Sequence, residues 1–176
     1  RSKENDKIGR FLFTKKCEII LHMQIIFFDV VGVLLSTGKF KTKNGLVEYM
    51  DTIVKELTKN HILVIVSSLS KSTIEEQINL WKLNTVFTHV IGGEPNKNKT
   101  DQMLEVCYEY NVAPKTCLMV TDTARDVHLA KEANISTLAV SWGLGNIEML
   151  KKSNATLVQN PQELLIIIKE KIKTLV

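Results

Sequence analysis

Acidic, hydroxyl and lysine side chains recur in this chain at positions where they could bind a cation and an anionic group together. Asp29 and Asp122 each come directly after an apolar run, Ser67 follows another, and Lys99 opens a helical pattern. Carboxylate oxygens are the ligands that hard divalent cations prefer. A carboxylate can approach an anionic phosphoryl group only where nearby positive charge offsets the repulsion. These residue types therefore suit metal-assisted chemistry on phosphate, if the fold brings them together.

Apolar runs and helical periodicity alternate along the chain at least five times. Strands are predicted at 24–29, 61–66, 86–91, 117–121, 137–141 and 155–158. Helices are predicted at 44–57, 72–81, 100–110, 123–133, 144–152 and from 161 onward. Short continuous apolar runs indicate strands that are covered on both faces. The pattern predicts a three-layer, Rossmann-like α/β fold, with one parallel sheet between two layers of helices.

Polar residues mark the ends of several predicted helices. The expected helix starts are Ser72 with Glu75, and Asn160 with Pro161 and Glu163; the expected closing residues are Asn111 and Asn134. Ligands of such sheets bind beyond the carboxyl ends of the strands, where the strand order reverses. The candidate residues at that edge are Asp29, Ser67, Ser68, Lys97, Lys99, Asp122 and Asp126.

Four segments at those strand ends resemble the motifs of the haloacid dehalogenase-like superfamily, chiefly its phosphatases of the phosphoglycolate-phosphatase-like branch. They read FFDVVGVLL, VIVSS, NKNK and VTDTARD in chain order. The resemblance covers residues 24 to about 168. Any one motif would be a weak signal, but four in the correct order at the correct strand ends are specific.

The resemblance implies a role for each candidate residue. Asp29 would attack phosphorus to form an aspartyl-phosphate, and Ser67 would hydrogen-bond the phosphoryl oxygens. Mg²⁺ would bridge Asp29, Asp122 and the substrate, with the backbone carbonyl of Val31 as a further ligand. Asp126 would reach the ion through water or through the lysine. For Asp122 and Asp126 there is an alternative without a metal, in which Asp122 caps a helix and Asp126 is solvated.

Several assignments stay open at the level of sequence. Lys99 is favoured over Lys97 as the lysine that neutralises developing charge, because it borders the helix. Ser67 is favoured over Ser68, which could contact substrate or cap the next helix. Three lysines of the loop after the first strand could attract an anionic substrate or simply be solvated: Lys39, Lys41 and Lys43. Trp142, with Gly143 and Gly145, is expected in the core rather than at the pocket rim.

The first motif departs from the phosphatase pattern at one position. Phosphatases of the superfamily carry a second aspartate two residues after the nucleophile, and this chain has Val31 there. General acid–base help is worth roughly 10² to 10⁴ in rate. Three interpretations follow: a slow phosphatase limited to good leaving groups, a member with altered chemistry, or an inactive domain that only binds.

Insertions large enough for a cap domain are not expected, since no more than about 14 residues separate Leu35 from the first helix. An open site suits a macromolecular phosphate, or a phosphorylated small molecule enclosed by a second copy in a homo-oligomer. The predicted domain spans 23–176, and residues 1–22 are interpreted as an N-terminal extension, poorly ordered or non-native.

Net charge, cysteine spacing and hydropathy argue against nucleic-acid binding, a zinc site and a membrane span. The net charge is +4, and residues 1–22 hold six basic against three acidic residues, so the body is nearly neutral and nucleic-acid binding is not favoured. Cys17, Cys107 and Cys117 show no zinc-site spacing and predict free thiols. No apolar run reaches the length of a membrane span, so we expect a cytoplasmic protein without a membrane partner.

Overall fold

The computed structural model describes residues 23–175 of this chain. The predicted extension at 1–22 lies outside the described residues. The strands are β1 (Ile25–Phe28), β2 (Ile62–Val66), β3 (His89–Ile91), β4 (Leu118–Thr121), β5 (Ser136–Val140) and β6 (Thr156–Val158). The α-helices are α1 (Met50–Leu57), α2 (Lys71–Trp81), α3 (Lys99–Glu109), α4 (Ala124–Glu132), α5 (Ile147–Lys152) and α6 (Pro161–Lys173), with one 3₁₀ turn at Pro114–Thr116. Element order and type follow the sequence prediction.

All six strands form one parallel sheet in the order β3-β2-β1-β4-β5-β6. β1 lies between β2 and β4, with Phe28 opposite Ile65 on one side and Val120 on the other. The chain adds β2 and β3 on one side of β1 and then β4, β5 and β6 on the other side, so the strand order reverses between β1 and β4. This reversal is the switch point at which parallel sheets bind ligands, and Asp29 and Asp122 follow the two strands that flank it.

Two apolar cores cover the two faces of the sheet, which confirms the three-layer fold. One core joins alternate strand residues such as Ile26 and Phe28 to α1, α2 and α6. The other joins the intervening residues, such as Ile25 and Phe27, to α3 and α4. Successive strand residues point to opposite faces, so a strand buried on both sides must be apolar throughout. Every residue of β1 is accordingly buried.

Helix α1 begins later than the sequence pattern suggests. The periodic apolar residues from Leu46 onward predict a helix from about residue 44, but α1 starts at Met50. Leu46 and Val47 are buried through the β1–α1 loop, where isolated bridges pair Leu35 with Leu46 and Lys41 with Val47. Tyr49 then takes a left-handed conformation with φ 67°, which separates this loop from the helix.

Helix caps follow the predicted chemistry with one exception. Asn111 and Asn134 adopt the expected left-handed conformation, with φ of 53° and 58°. Asn160 caps α6 by accepting a hydrogen bond from the Gln162 N–H. The predicted cap Ser72 is wrong, because Ser70 precedes α2 and accepts from the Thr73 N–H.

The β1–α1 connection, residues 29–49, contains turns and isolated bridges but no helix or named strand in the described structure. Across residues 23–175, none of the helices combines the length and the apolar character needed to cross a bilayer.

Candidate active site

A cavity of about 390 Å³ opens at the carboxyl edge of the sheet, at the switch point. Asp29, Ser67 and Asp122 line it from the ends of three adjacent strands, and all three are buried. Cavities that bind small ligands are commonly about 300–1,000 Å³. Residues that are far apart in sequence thus share one pocket of ligand size.

Lys99 connects two of the acidic residues across this pocket. Its Nζ donates hydrogen bonds to Oδ2 of Asp29 and to Oδ2 of Asp126, each at 2.7 Å. The lysine is only 8% exposed, although it opens helix α3. A charged lysine so deeply buried requires charged partners, and here it has two.

Lys97 is also at the pocket wall but is engaged elsewhere. Its Nζ lies 2.9 Å from Glu105 and 3.7 Å from Glu94. Its side chain is 40% exposed, so these are surface ion pairs. Of the two candidate lysines, the structure brings Lys99 to Asp29.

Asp126 is held by α4 and by the end of β4. Its Oδ2 accepts a second hydrogen bond from the Thr121 hydroxyl at 3.2 Å, and its own N–H donates to Oγ1 of Thr123. Thr123 is therefore the cap of α4. The alternative that Asp122 caps this helix is wrong, and Asp126 is buried rather than solvated.

Asp122 is enclosed by backbone at close range. Its Oδ2 accepts a 2.7 Å hydrogen bond from the Leu144 N–H. A Cβ on Gly32 or on Gly143 would lie 2.2 Å from that same oxygen, and Gly32 also has φ +80°. Only glycine fits where another group approaches the backbone this closely. These two glycines are therefore needed for the observed position of Asp122.

Burial and neighbouring charge shift the pKa values of the three carboxyl groups. Burial raises the pKa of Asp29 to about 6, against the lowering effect of the Lys99 charge. Burial also raises the pKa of Asp122, although the Leu144 N–H opposes it. For Asp126 burial acts in the same direction, but the Lys99 charge and the hydrogen bonds to Asp126 together outweigh it and hold the pKa below its usual value.

The oxygen atoms near Asp29 are of the type that a hard cation prefers, but they come from two carboxylates and one backbone carbonyl rather than from three acidic side chains. Within residues 23–175, no three Asp, Glu, His or Cys side chains converge as a set that could hold a metal ion. Lys99 occupies one carboxylate oxygen each of Asp29 and Asp126. Two carboxylates remain, Asp29 and Asp122, beside Val31, whose carbonyl accepts no hydrogen bond from the described residues. This all-oxygen donor set fits Mg²⁺, which keeps several waters and needs few protein ligands.

The other predicted substrate contacts fall in two places. Ser68 lines the pocket and is exposed. Lys39 and Lys41 are exposed on the β1–α1 loop and are not among the residues that line the pocket. The Lys39 ammonium lies 5.0 Å from the centre of the Phe40 ring, a cation–π contact. The structure does not bring these two lysines to Asp29.

Trp142 belongs to the core, as expected. It is 3% exposed, and its ring meets Phe40 edge to face at 6.4 Å. The neighbouring Leu144, by contrast, lines the pocket and is 71% exposed.

Arg125 is a pocket residue that the sequence reading missed. It lines the cavity from the first turn of α4 and is exposed, and its side chain makes no ion pair or hydrogen bond within residues 23–175. Its place inside the VTDTARD motif was the available signal. A guanidinium forms planar paired hydrogen bonds with carboxylate or phosphate.

Comparisons with known proteins agree with this geometry. A family model described as haloacid dehalogenase-like hydrolase matches residues 23–140. A phosphoglycolate phosphatase of Psychrobacter arcticus is 26% identical over 143 residues, which cover 79% of this chain and 60% of that protein. A phosphoglycolate phosphatase of Synechococcus elongatus is 26% identical over 116 residues, which cover 65% of this chain and 55% of that protein. The chain thus spans less than two thirds of the length of these curated relatives.

Solved structures show the same fold. A haloacid dehalogenase-like hydrolase from Streptococcus pneumoniae superimposes with a TM-score of 0.71 at 18% identity, covering 84% of this chain and 99% of that one. A predicted phosphatase from Clostridium acetobutylicum superimposes with a TM-score of 0.73 at 17% identity, covering 84% of this chain and 99% of that one.

Proposed function

This chain belongs to the family of haloacid dehalogenase-like hydrolases, and on that premise we propose that it is a Mg²⁺-dependent phosphohydrolase that acts through an aspartyl-phosphate on Asp29. The observation that carries the proposal is the 2.7 Å contact between Lys99 and Asp29 inside a pocket of ligand size. A buried ammonium beside a candidate nucleophile is what attack on an anionic group requires. The curated relatives are phosphoglycolate phosphatases, which supports phosphate esters as substrates.

Each residue of the pocket has a distinct task in the proposed reaction. The carboxylate of Asp29 attacks phosphorus, and the leaving oxygen departs from the opposite side. Lys99 stabilises the negative charge on the phosphoryl oxygens, and the Ser67 hydroxyl donates a hydrogen bond to one of them. Asp126 keeps the Lys99 ammonium in place. Water then cleaves the aspartyl-phosphate and restores Asp29.

Asp29, Asp122 and the Val31 carbonyl would hold Mg²⁺. When bound, the ion neutralises charge on the phosphoryl group and lowers its repulsion from Asp29. We assign Asp126 to Lys99 rather than to the metal, because both of its observed side-chain partners are donors.

Val31 limits the leaving groups that this site can handle. An alkoxide needs a proton as it departs, and valine cannot supply one. Acyl and aryl phosphates have leaving groups that are stable without a proton. We therefore propose slow hydrolysis of acyl or aryl phosphates and very weak activity on alkyl phosphates.

Hydrolysis of acetyl phosphate and p-nitrophenyl phosphate tests the proposal, with and without Mg²⁺. The matched control is Asp29→Asn, which keeps the size of the side chain and removes its charge. Turnover that requires both Mg²⁺ and Asp29 supports the proposal. Turnover equal to that of the control would reject it. Intact mass spectrometry with acetyl phosphate adds a second readout, because phospho-Asp29 accumulates if water attacks slowly.

A second candidate function is a non-catalytic binding domain that keeps the metal pocket. Val31 is the observation that favours it. This candidate predicts that Mg²⁺ with phosphate raises the unfolding temperature while no substrate is turned over and no adduct forms. The same two assays therefore separate the two functions.

The site is proposed to be capless, since the described connections after β1 and β3 hold no inserted domain. A phosphorylated small molecule, with a second copy of the chain covering the pocket, is our preferred substrate and assembly. Free Cys107 and Cys117 are consistent with the reducing cytosol that we propose as its setting.

A further inference from the structure

Two buried cysteines lie side by side, away from the proposed active site. Sγ of Cys107 is 3.7 Å from Sγ of Cys117, and the two residues are 2% and 0% exposed. Cys107 is on helix α3, and Cys117 directly precedes strand β4. Both belong to the core between the sheet and helices α3 and α4.

Backbone hydrogen bonds hold the intervening segment in place. The Val112 N–H donates to the Cys107 carbonyl, and the Cys117 N–H donates to the Pro114 carbonyl, each at 2.9 Å. The two sulfurs are therefore kept close by short local contacts as well as by the core around them. A disulfide needs its sulfurs about 2.05 Å apart. Side-chain rotation and a small backbone shift must cover the remaining distance.

A route to the sulfurs exists from the surface. Cys107 lines a cavity of about 560 Å³ with Leu104, Tyr108, Val112 and Pro114. Tyr108, which lines this cavity, is 91% exposed, so the cavity is open to solvent. Hydrogen peroxide is scarcely larger than water, so it can enter a cavity of this size and approach Cys107, whose sulfur is 3.7 Å from that of Cys117.

We propose that Cys107 and Cys117 form a reversible disulfide, which makes this pair a modification site for small hydroperoxides. The thiolate of one cysteine attacks one oxygen of hydrogen peroxide, the O–O bond breaks, and the released hydroxide takes up a proton to become water. The sulfur of the other cysteine then attacks this sulfenic acid to form the disulfide, and the oxygen leaves as water with the proton of the second thiol. Two thiols lose two electrons, and one peroxide becomes two waters.

The contact between the two thiols supports these two steps. The Cys107 thiol lowers the pKa of Cys117, against the effect of burial. Each sulfur lies within reach of a sulfenic acid formed on the other.

The test uses the full chain with Cys17→Ser, which removes the third thiol. The folded protein is treated with millimolar peroxide, its free thiols are blocked, and it is digested with trypsin. Cleavage after Lys115 separates the two cysteines, because the tryptic peptides 100–115 and 116–125 then hold one each. We expect the two peptides to remain linked, the intact mass to fall by two hydrogens, and dithiothreitol to reverse both changes.

Cys107→Ser and Cys117→Ser, each combined with Cys17→Ser, are the matched controls and should show no such mass loss. If either fails to fold, the tryptic linkage in the Cys17→Ser protein still decides the question. Thiols that stay free, sulfinic or sulfonic acids without a link, or links only between copies would overturn the proposal.

Thermal unfolding gives a second measurement. The bond closes a short loop and ties α3 to β4, so the oxidised protein should unfold roughly 5 °C higher than the reduced protein. A lower unfolding temperature would show that the bond strains the fold, and would overturn the claim that the native positions accept it.

Discussion

The ammonium of Lys99 lies 2.7 Å from a carboxylate oxygen of Asp126, which is in the first turn of the helix that follows β4. Asp126 accepts from Lys99 and from the Thr121 hydroxyl, both through Oδ2. This arrangement makes Asp126 a residue that positions the lysine, which in turn contacts Asp29.

Asp126→Asn should therefore weaken catalysis without removing it. The amide keeps the shape of the side chain but loses the charge that holds Lys99, so kcat should fall roughly 10- to 100-fold with little change in KM. Steady-state kinetics with acetyl phosphate measure this. Asp101→Asn, on the exposed first turn of α3, is the control and should behave like the wild type. An unchanged kcat in Asp126→Asn would remove Asp126 from the proposed machinery.

Val31→Asp should restore hydrolysis of alkyl phosphates. The new carboxyl group would lie two residues after Asp29 in the same pocket, where it can protonate a departing alkoxide. We expect kcat on an alkyl phosphate to rise by roughly 10² and to rise much less on p-nitrophenyl phosphate. Val31→Asn is the control, because it has the same shape but cannot exchange a proton at neutral pH. Equal rates for the two variants would mean that acid–base help is not what the wild type lacks.

Arg125→Ala should weaken binding of substrates that carry a second anionic group. Its guanidinium is exposed at the pocket and unpaired within residues 23–175, so it is available for a carboxylate. For phosphoglycolate, tested as a competitive inhibitor of p-nitrophenyl phosphate hydrolysis, we expect the inhibition constant to rise roughly 10-fold, while KM for p-nitrophenyl phosphate changes little. Lys115→Ala removes the same charge from an exposed position away from the pocket and serves as the control. A similar rise for both substrates would instead indicate a general electrostatic effect.

Gly143→Ala should displace Asp122. A Cβ at this position would lie 2.2 Å from Oδ2 and 2.3 Å from Cβ of Asp122, so the carboxylate must move. We expect the Mg²⁺ concentration needed for half-maximal stabilisation against heat to rise roughly 10-fold or more. Far-UV circular dichroism shows whether the fold is retained. A folded variant with unchanged Mg²⁺ dependence would exclude Asp122 as a ligand.

His61 should make stability depend on pH. Burial lowers its pKa below the ordinary 6.5, and its Nδ1 is buried without a hydrogen-bond partner in the described structure. The unfolded chain therefore binds a proton at a higher pH than the folded protein does. The contribution of neutral His61 is fully present above about pH 6.5 and is lost as the pH falls from there through the lowered pKa.

Urea unfolding between pH 7.5 and about pH 5 checks this sign. The free energy of unfolding should fall less steeply with decreasing pH in His61→Gln than in the wild type. His128→Gln is the control, because the His128 side chain is 71% exposed. The same slope in wild type and His61→Gln would contradict the prediction.

The sequence by itself determined the order of the strands and helices, the two-sided burial of β1 and the helix-closing asparagines. These features depend on neighbours within a few residues, through side-chain periodicity and local backbone conformation. The sequence also placed Asp29, Ser67 and Asp122 at the ends of predicted strands. Because the strands are parallel and those ends share one edge of the sheet, the candidate residues could be named before the structure was known.

Only the tertiary structure decided which lysine reaches Asp29, where α1 begins, and what surrounds Asp122. Lys97 and Lys99 are two residues apart, and the direction of each depends on how α3 packs. Leu46 fits the helical spacing, yet loop packing buries it ahead of the helix. Contacts across long stretches of chain carry no local pattern: Lys99 meets Asp29 across 70 residues, and Leu144 meets Asp122 across 22. Such contacts form only when the sheet and its helices assemble, so no local reading of the residues can supply them.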